Sequence, residues 1–395
     1  MSRPLRVAMI GYGFMGAAHS VGWRQAPAVF ELPRAVDMAV LVGRSAAAVE
    51  ATAARWGWQE SATDWREVIA RDDIDIVDIV TPGDSHAEIA IAALEAGKHV
   101  LCEKPLANTV EEAEAMAAAA ARASARGITA MVGFTYRRVP AVTLLQQLIA
   151  DGVVGTVQQV RAAYRQDWLV DPQAPLGWRL QKEHAGSGAL GDIGAHIIDM
   201  TQFVTGLAVE SVSGTVETIV AQRPLADHGS GLSATAGAGY GEVTVDDLAI
   251  FAGRLSNGAL VSFEASRFAT GRKNALEIEV SGDRGALRFD LEDLNSVQFY
   301  DRTAPADRQG FTKILVTEPE HPYVAAWWPA GHMLGYEHGF SHQVVDLVTG
   351  IAEGAPVHPT FADGLRVQRV LDAVERSSRN ESAWIGVDAD VPASV

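Results

Sequence analysis

The sequence predicts an α/β protein of two domains, on three observations. Over residues 1–133, apolar runs of strand length alternate with helical segments, the rhythm of a doubly wound parallel sheet. Three glycines, Gly11, Gly13 and Gly16, follow the first of those runs directly. From Val212 to Tyr300, strand-like runs succeed one another without long helices between them, which predicts a largely antiparallel sheet in residues 134–395.

Bulk properties narrow the function. A chain of 395 residues has room for two large domains. With 48% hydrophobic and 21% charged residues it can bury a sizeable core, which excludes disorder on a large scale. A net charge of -17, with no run of basic residues, argues against nucleic-acid binding and leaves small molecules open. The single cysteine, Cys102, can form neither an intramolecular disulfide nor a cysteine metal cluster, and suits a cytoplasmic setting. The chain enters a strand-like run at Leu5, so no signal peptide is expected, and no apolar stretch is long enough to predict a membrane span.

Leu5 to Ile10 is continuously apolar and reads as a buried parallel strand. In the loop that follows, Gly11 permits a tight turn and Gly13 lets backbone approach a pyrophosphate. Gly16 lets the next helix pack close. This loop, with Phe14 and Met15, is the candidate dinucleotide cradle of a Rossmann domain. Val36 to Val42 is the second strand and Ala46 to Trp56 a helix. An NAD site often carries an acid at the end of that strand; here Gly43, Arg44 and Ser45 stand there, and Asp37 lies too early. Arg44 and Ser45 suit a 2'-phosphate and so NADP; an Arg44 that only stacks beside the adenine would permit NAD.

Asp64 to Ala70 predicts a short helix, and Ile74 to Val80 a strand whose end places Thr81 and Pro82 at the ligand crevice. His86, at the start of a helix over Ser85 to Glu95, is a candidate cofactor contact, or else a solvent-facing or capping residue. The strand His99 to Cys102 ends in Glu103-Lys104-Pro105. A lysine there points into the crevice, and Pro105 limits the turn; taken alone, such a turn is ordinary surface. The helix Val110 to Ala125 and the strand Ile128 to Gly133 complete the first domain.

In the second domain, Pro140 to Ala150 is a helix and Val157 to Tyr164 a strand. Gln166, Trp168 and Arg179 lie in segments poor in periodicity, as pocket loops or as a packed tryptophan loop. A glycine-rich run from Gly186 to Gly194 leads into a helix from Ala195 to Phe203. Asp192 and His196, four apart, should share a helix face, with Gly194 allowing close approach and Asp199 able to orient the imidazole. No further histidine or acid completes a metal site. Strands are expected over Val212–Val220, Asp247–Phe251, Ala259–Ala265, Ala275–Val280 and Ala286–Phe289, with a hairpin at Asn257-Gly258. Pro224 to Gly241 reads as a long loop. Tyr323 to Pro329 is irregular, Gly335 to Val348 leads into a helix, and Phe361 to Val374 is helical. The antiparallel sheet needs a cover for its second face, which a partner subunit would supply.

Taken together, the glycine loop, Thr81-Pro82, Glu103-Lys104-Pro105 and Gly191-Asp192-Ile193-Gly194-Ala195-His196 appear in the order of one family. Over nearly its whole length the chain resembles the glucose-fructose oxidoreductase, inositol dehydrogenase and rhizopine catabolism (Gfo/Idh/MocA) superfamily. The resemblance implies a second domain with an open mixed sheet used in dimers or tetramers, and C-terminal helices near 359–378 that return to the first domain. It matches Lys104, Asp192 and His196 to a catalytic lysine, aspartate and histidine. A closer likeness, to members that oxidise a 1,6-anhydro sugar, runs through Gly13-Phe14-Met15-Gly16, Thr63-Asp64-Trp65-Arg66, Tyr136-Arg137-Arg138, Gln166-Asp167-Trp168, Arg223-Pro224-Leu225 and Phe361-Ala362-Asp363-Gly364. It adds Tyr136 to the expected substrate contacts. Those members carry an acid near the Gly43 position, which this chain lacks, and differ around Trp327 to His338.

The expected activity is NAD(P)-dependent oxidation of a secondary ring hydroxyl of a sugar or anhydro sugar. His196 would act as base, Asp192 as its support, and Lys104 as the group that holds the reacting oxygen. An inositol or glucoside 3-dehydrogenase is the alternative, and a non-catalytic dinucleotide-binding sugar sensor the alternative of another class.

Overall fold

Apolar runs of the N-terminal part become six parallel strands in the computed structural model, which describes residues 3–228 and 235–388. These are β1 (Leu5–Ile10), β2 (Val36–Val42), β3 (Glu60–Ala62), β4 (Ile76–Ile79), β5 (His99–Cys102) and β6 (Ala130–Val132). Helices α1 (Phe14–Val29), α2 (Ala46–Trp56), α3 (Trp65–Ile69), α4 (His86–Glu95) and α5 (Val110–Ser124) connect them. The strand order is β3-β2-β1-β4-β5-β6. The order reverses beside β1, where doubly wound folds bind dinucleotides. Covered on both faces, β4 is buried at every position, and β1 at all but Arg6. Local signals set the helix ends. Thr109 and Glu112 form a reciprocal capping box on α5, and Gly57 closes α2 at φ +82°.

Downstream follow α6 (Pro140–Ala150), β7 (Val157–Arg165), α7 (Lys182–Ala185) and α8 (Ala195–Thr205). Then come β8 (Val209–Glu217), β9 (Gln222–His228), β10 (Thr235–Glu242), β11 (Leu248–Leu255), β12 (Leu260–Ser266), β13 (Ala275–Gly282), β14 (Gly285–Asp290), β15 (Ser296–Asp301) and β16 (Phe311–Leu315). The last elements are α9 (His338–Glu353), α10 (Phe361–Arg379) and β17 (Ile385–Gly386). Nine strands form one sheet, β16-β15-β14-β13-β7-β12-β11-β8-β17. It is mixed and largely antiparallel: β7 runs parallel to β12 and antiparallel to β13. Buried and exposed positions alternate along β11, the signature of a sheet covered on one face. On the inner face α8 packs against β7 and β13, and α6 against β14 and β15. There the rings of Phe251 and Phe263 stack 4.6 Å apart.

The chain divides into two compact units, Met1–Val139 with Tyr323–Leu365, and Pro140–Pro322 with Arg366–Val395. Within the first unit α9 seats on α1. A Cβ on Gly22 would stand 2.9 Å from the Phe340 carbonyl carbon, so glycine permits the close crossing.

One expectation is corrected. Pro224 to Gly241 is not a loop throughout: β9 and β10 pair as an antiparallel hairpin, with register shifts at Ala236. Residues 229–234 of that stretch lie outside the described residues. β10 alternates no buried face, so hydrophobic periodicity could not reveal it.

Candidate active site

The first unit holds the dinucleotide loop. Gly11 has φ +110°, and a Cβ there would lie 2.9 Å from the Val80 backbone. A Cβ on Gly16 would lie 2.9 Å from the Gly11 carbonyl oxygen, so α1 approaches the loop more closely than a side chain allows. Around Gly13 the space is open, with nothing within 4 Å of its Cβ position. Gly13 is the N-cap of α1 and supplies no side-chain cap, and the first turn carries no acid. Open space beside uncapped amides fits the pyrophosphate of a dinucleotide.

Phe14 is exposed, Met15 half-buried and Gly16 buried. The Phe14 ring lies 6.5 Å from Tyr336, which in turn lies 6.4 Å from Tyr136. Tyr336, on the segment ahead of α9, thus joins two predicted residues into one aromatic group. Arg44 and Ser45 are exposed beyond β2, and Ser45 caps α2 without a side-chain bond. Gly43 faces the Tyr12 ring, which a Cβ would meet at 1.9 Å.

Thr81 and Pro82 follow β4; the Thr81 hydroxyl accepts from Ser85 at 2.7 Å. His86 opens α4. It is buried, with Nε2 2.9 Å from the Thr81 carbonyl and Nδ1 3.1 Å from that of Pro105. Its ring clasps two loops together. Glu103 is also buried, against His19, while Lys104 is half-buried at the end of β5 and precedes a cis Pro105.

The second unit places Asp192 and His196. Leu190–Gly194 is a π-helical turn leading into α8, so their spacing is not that of a regular α-helix. Ile193, Gly194, Ala195, Ile197 and Ile198 are buried, and Asp192 and His196 are half-exposed. Asp199 is buried lower on the same helix. A residue the sequence did not single out fixes the turn: the Asp246 carboxylate accepts the Gly188 and Leu190 amides, each at 2.7 Å. Burial raises the Asp246 carboxyl above the usual range, against the pull of those amides and of Arg267. Close approach is needed at Gly188, where a Cβ would stand 1.7 Å from the Asp246 carbonyl oxygen. At Gly194, where the sequence predicted it, a Cβ would meet its nearest neighbour at 3.4 Å, an ordinary contact.

Arg267 is the second unpredicted residue. Its fully buried guanidinium donates from Nη2 to Asp192 Oδ2 at 2.8 Å. Among the described residues, its Nε and Nη1 have no hydrogen-bond partner. The Trp168 ring lies 5.3 Å from it. Trp168 Nε1 donates to Gln166 Oε1 at 2.9 Å, and Gln166 Nε2 to Asn274 Oδ1 at 2.8 Å. Tyr164 donates to the same Asn274 oxygen at 2.7 Å, and its ring is 5.8 Å from His196. One continuous network therefore joins Asp192, Trp168, Gln166 and His196. Arg179 stacks over Trp178 at 4.4 Å and lines a small recess with Trp168. Burial lowers its pKa, and Asp192 is the opposing charge. The segment between β12 and β13 supplies Arg267 and Asn274 from positions far along the chain, so no local motif could announce them. A larger cavity of about 180 Å³, beside Lys182 and Thr218, touches Gly186 and Ser187 of the glycine-rich run but none of the predicted catalytic or binding residues.

Comparison with known proteins identifies the family. An oxidoreductase family model with an NAD-binding Rossmann fold matches residues 5–134, and a GFO/IDH/MocA C-terminal domain model matches residues 142–288. Fold and site thus define an NAD(P)-dependent oxidoreductase acting on CH–OH groups. The chain belongs to the GFO/IDH/MocA family. It is 42% identical over 388 residues to a levoglucosan dehydrogenase of Pseudarthrobacter phenanthrenivorans, covering 97% of this chain and 98% of that one. A crystal structure of an oxidoreductase domain protein from Kribbella flavida is 60% identical, with a TM-score of 0.94 over 98% of this chain and 100% of that one. A levoglucosan dehydrogenase in complex with NADH and levoglucosan is 40% identical, with a TM-score of 0.91 over 98% of this chain and 100% of that one.

Proposed function

We propose that this enzyme oxidises a secondary ring hydroxyl of an anhydro sugar such as levoglucosan. The observation that carries the reading is the pair Asp192 and His196, half-exposed on an otherwise buried turn and tied to Trp168 and Gln166. Whole-chain likeness to levoglucosan dehydrogenase supports the substrate class.

A bound nicotinamide supplies the chemistry of accepting a hydride from carbon. His196 takes the hydroxyl proton, as an imidazole can near neutral pH. Asp192, held by Arg267, supports the charge that His196 acquires. Lys104 donates to the reacting oxygen and stabilises the negative charge that develops there. Gln166, Trp168, Arg179 and Tyr136 contact the remaining hydroxyls and the ring. Gly11, Gly13, Phe14, Met15 and Gly16 would hold the dinucleotide, with Thr81, Pro82, His86 and Glu103 beside them. Exposed Arg44 and Ser45 favour NADP, while the NADH complex of a relative favours NAD.

The partners are small molecules. With a net charge of -17 the enzyme is not expected to bind nucleic acid. Among the described residues, no helix is long and apolar enough to cross a membrane. A cytoplasmic location is part of this proposal and rests on the buried free thiol of Cys102. A dimer or tetramer built on the open face of the large sheet is also part of it.

Initial rates with levoglucosan, using NAD and NADP in separate assays, test the reading. Turnover with one cofactor is expected, and a His196→Ala variant should lose about 100-fold or more in kcat. Turnover of inositols or glucosides alone would replace the substrate. No turnover of any sugar, with dinucleotide still bound, would make the protein a sensor.

A further inference from the structure

We infer that His19 is a positioning residue for Lys104 and acts through the carboxylate of Glu103. The inference rests on the role proposed for Lys104 above. His19 lies on α1, one turn beyond Gly16, and is 2% exposed. Its Nδ1 is 3.0 Å from both oxygens of Asp78, a fully buried residue of β4. Its Nε2 is 3.0 Å from Glu103 Oε1. Trp23, one turn further along α1, donates to Asp78 Oδ2 at 2.7 Å.

Ionised carboxylates only accept, so a ring between two of them needs a proton on both nitrogens. Burial alone would lower the His19 pKa, but the two carboxylates outweigh it and raise it to about 10. His19 is therefore an imidazolium at neutral pH, clamped between β4 and the end of β5.

The clamp reaches the candidate catalytic loop. Glu103 Oε2 accepts the backbone amide of Lys104 at 3.2 Å. The carboxylate packs against the backbone just beyond β6, where a Cβ on Gly133 would stand 2.6 Å from Oε1, so glycine there leaves it room. A chain of hydrogen bonds thus runs from α1, through His19 and Glu103, to the main chain of Lys104. The same stretch of α1 is tied to the dinucleotide loop, since the Ser20 hydroxyl donates to the Gly16 carbonyl at 2.7 Å. A lysine head on a flexible four-carbon stem is aimed by its backbone origin. An origin displaced by about 1 Å can cost about 100-fold in rate. The helix that would bind the dinucleotide therefore also sets where the lysine starts.

A double-mutant cycle on the full chain tests this, comparing His19→Gln, Lys104→Met and the double variant. His19→Gln is expected to lower kcat by about 10- to 100-fold, with the KM for sugar and the dinucleotide Kd within about twofold. In the Lys104→Met background the same change should alter the residual kcat by less than about threefold. Equal losses in both backgrounds would overturn the inference. An unchanged kcat in Lys104→Met would instead overturn the reading of Lys104. Hydrogen exchange of the Lys104 amide, in protein free of dinucleotide, supplies a readout without turnover. It should quicken about tenfold or more in His19→Gln while β1 stays protected; unchanged exchange would also overturn the inference. Should His19→Gln fail to fold, Glu103→Gln goes through the same cycle and exchange measurement, with the same outcomes.

Discussion

His342 shows how one side chain can set the acid limit of this protein. Trp327 Nε1 donates to its Nε2 at 2.8 Å, and its Nδ1 lies 2.8 Å from the Arg138 carbonyl. The ring therefore carries one proton, on Nδ1, and a second would break the Trp327 bond. Burial lowers its pKa to about 3, whereas an unfolded histidine titrates near 6.5. With the folded pKa depressed, its contribution to stability is present above about pH 6.5 and is lost as pH falls toward 3. That contribution is at most on the order of 5 kcal/mol. His19 has the opposite sign. Its raised pKa, about 10, gives stability that is full below about 6.5 and fades as pH rises through 10. Thermal melts from pH 4 to 10 should show both limbs in the native protein. The acid limb should flatten in His342→Gln and the alkaline limb in His19→Gln. A His342→Gln melt that falls as steeply as the native one below pH 6 would refute the assignment.

At the scale of elements, the turn into α8 carries Asp192 and leads directly to His196, the candidate base, in the first turn of the helix. Its geometry comes from Asp246, 54 residues beyond Asp192 in the sequence, whose carboxylate accepts the amides of Gly188 and Leu190 and whose carbonyl accepts that of Ala189. Two glycines make the argument testable. Gly188→Ala forces a Cβ to within 1.7 Å of the Asp246 carbonyl oxygen, so the loop must move. A loss of about 1–3 kcal/mol in stability and about tenfold or more in kcat is expected. Gly194→Ala meets only ordinary contacts, nearest at 3.4 Å, and should leave stability within about 1 kcal/mol. Chemical denaturation and initial rates on the two variants check this, and equal stability losses would sink it. The glycine-rich run was legible as a place of close approach. Which glycine is pressed was not, because its neighbour, Asp246, lies in the distant segment between β10 and β11.

For the whole molecule, the nine-stranded sheet has one face packed by α6 and α8 and one face open. Ile250, Leu260, Phe311 and Leu315 are exposed on strands of that sheet. Four large apolar side chains on one sheet favour a second copy of the chain as their cover. Light scattering is expected to give a dimer or larger for the native chain. Ile250→Asp combined with Leu260→Arg should lower the mass toward 42.0 kDa. A native mass already at that value would refute the proposed assembly.

The alternating pattern and the glycine loop by themselves determined the class of the first sheet. Strand and helix periods are local, and glycine spacing reports the turn that backbone sterics demand. Order and spacing of Lys104, Asp192 and His196 likewise carry the chemistry proposed for them, since each sits in a short motif. The hairpin of β9 and β10 was hidden, because it buries no alternating face. Only the tertiary structure decided the partners of those motifs. Arg267 holds Asp192 across 75 residues, and His19 reaches Glu103 across 84. Buried charge must find its counter-charge wherever the fold supplies one, so these pairings follow strand order and helix packing rather than any local period.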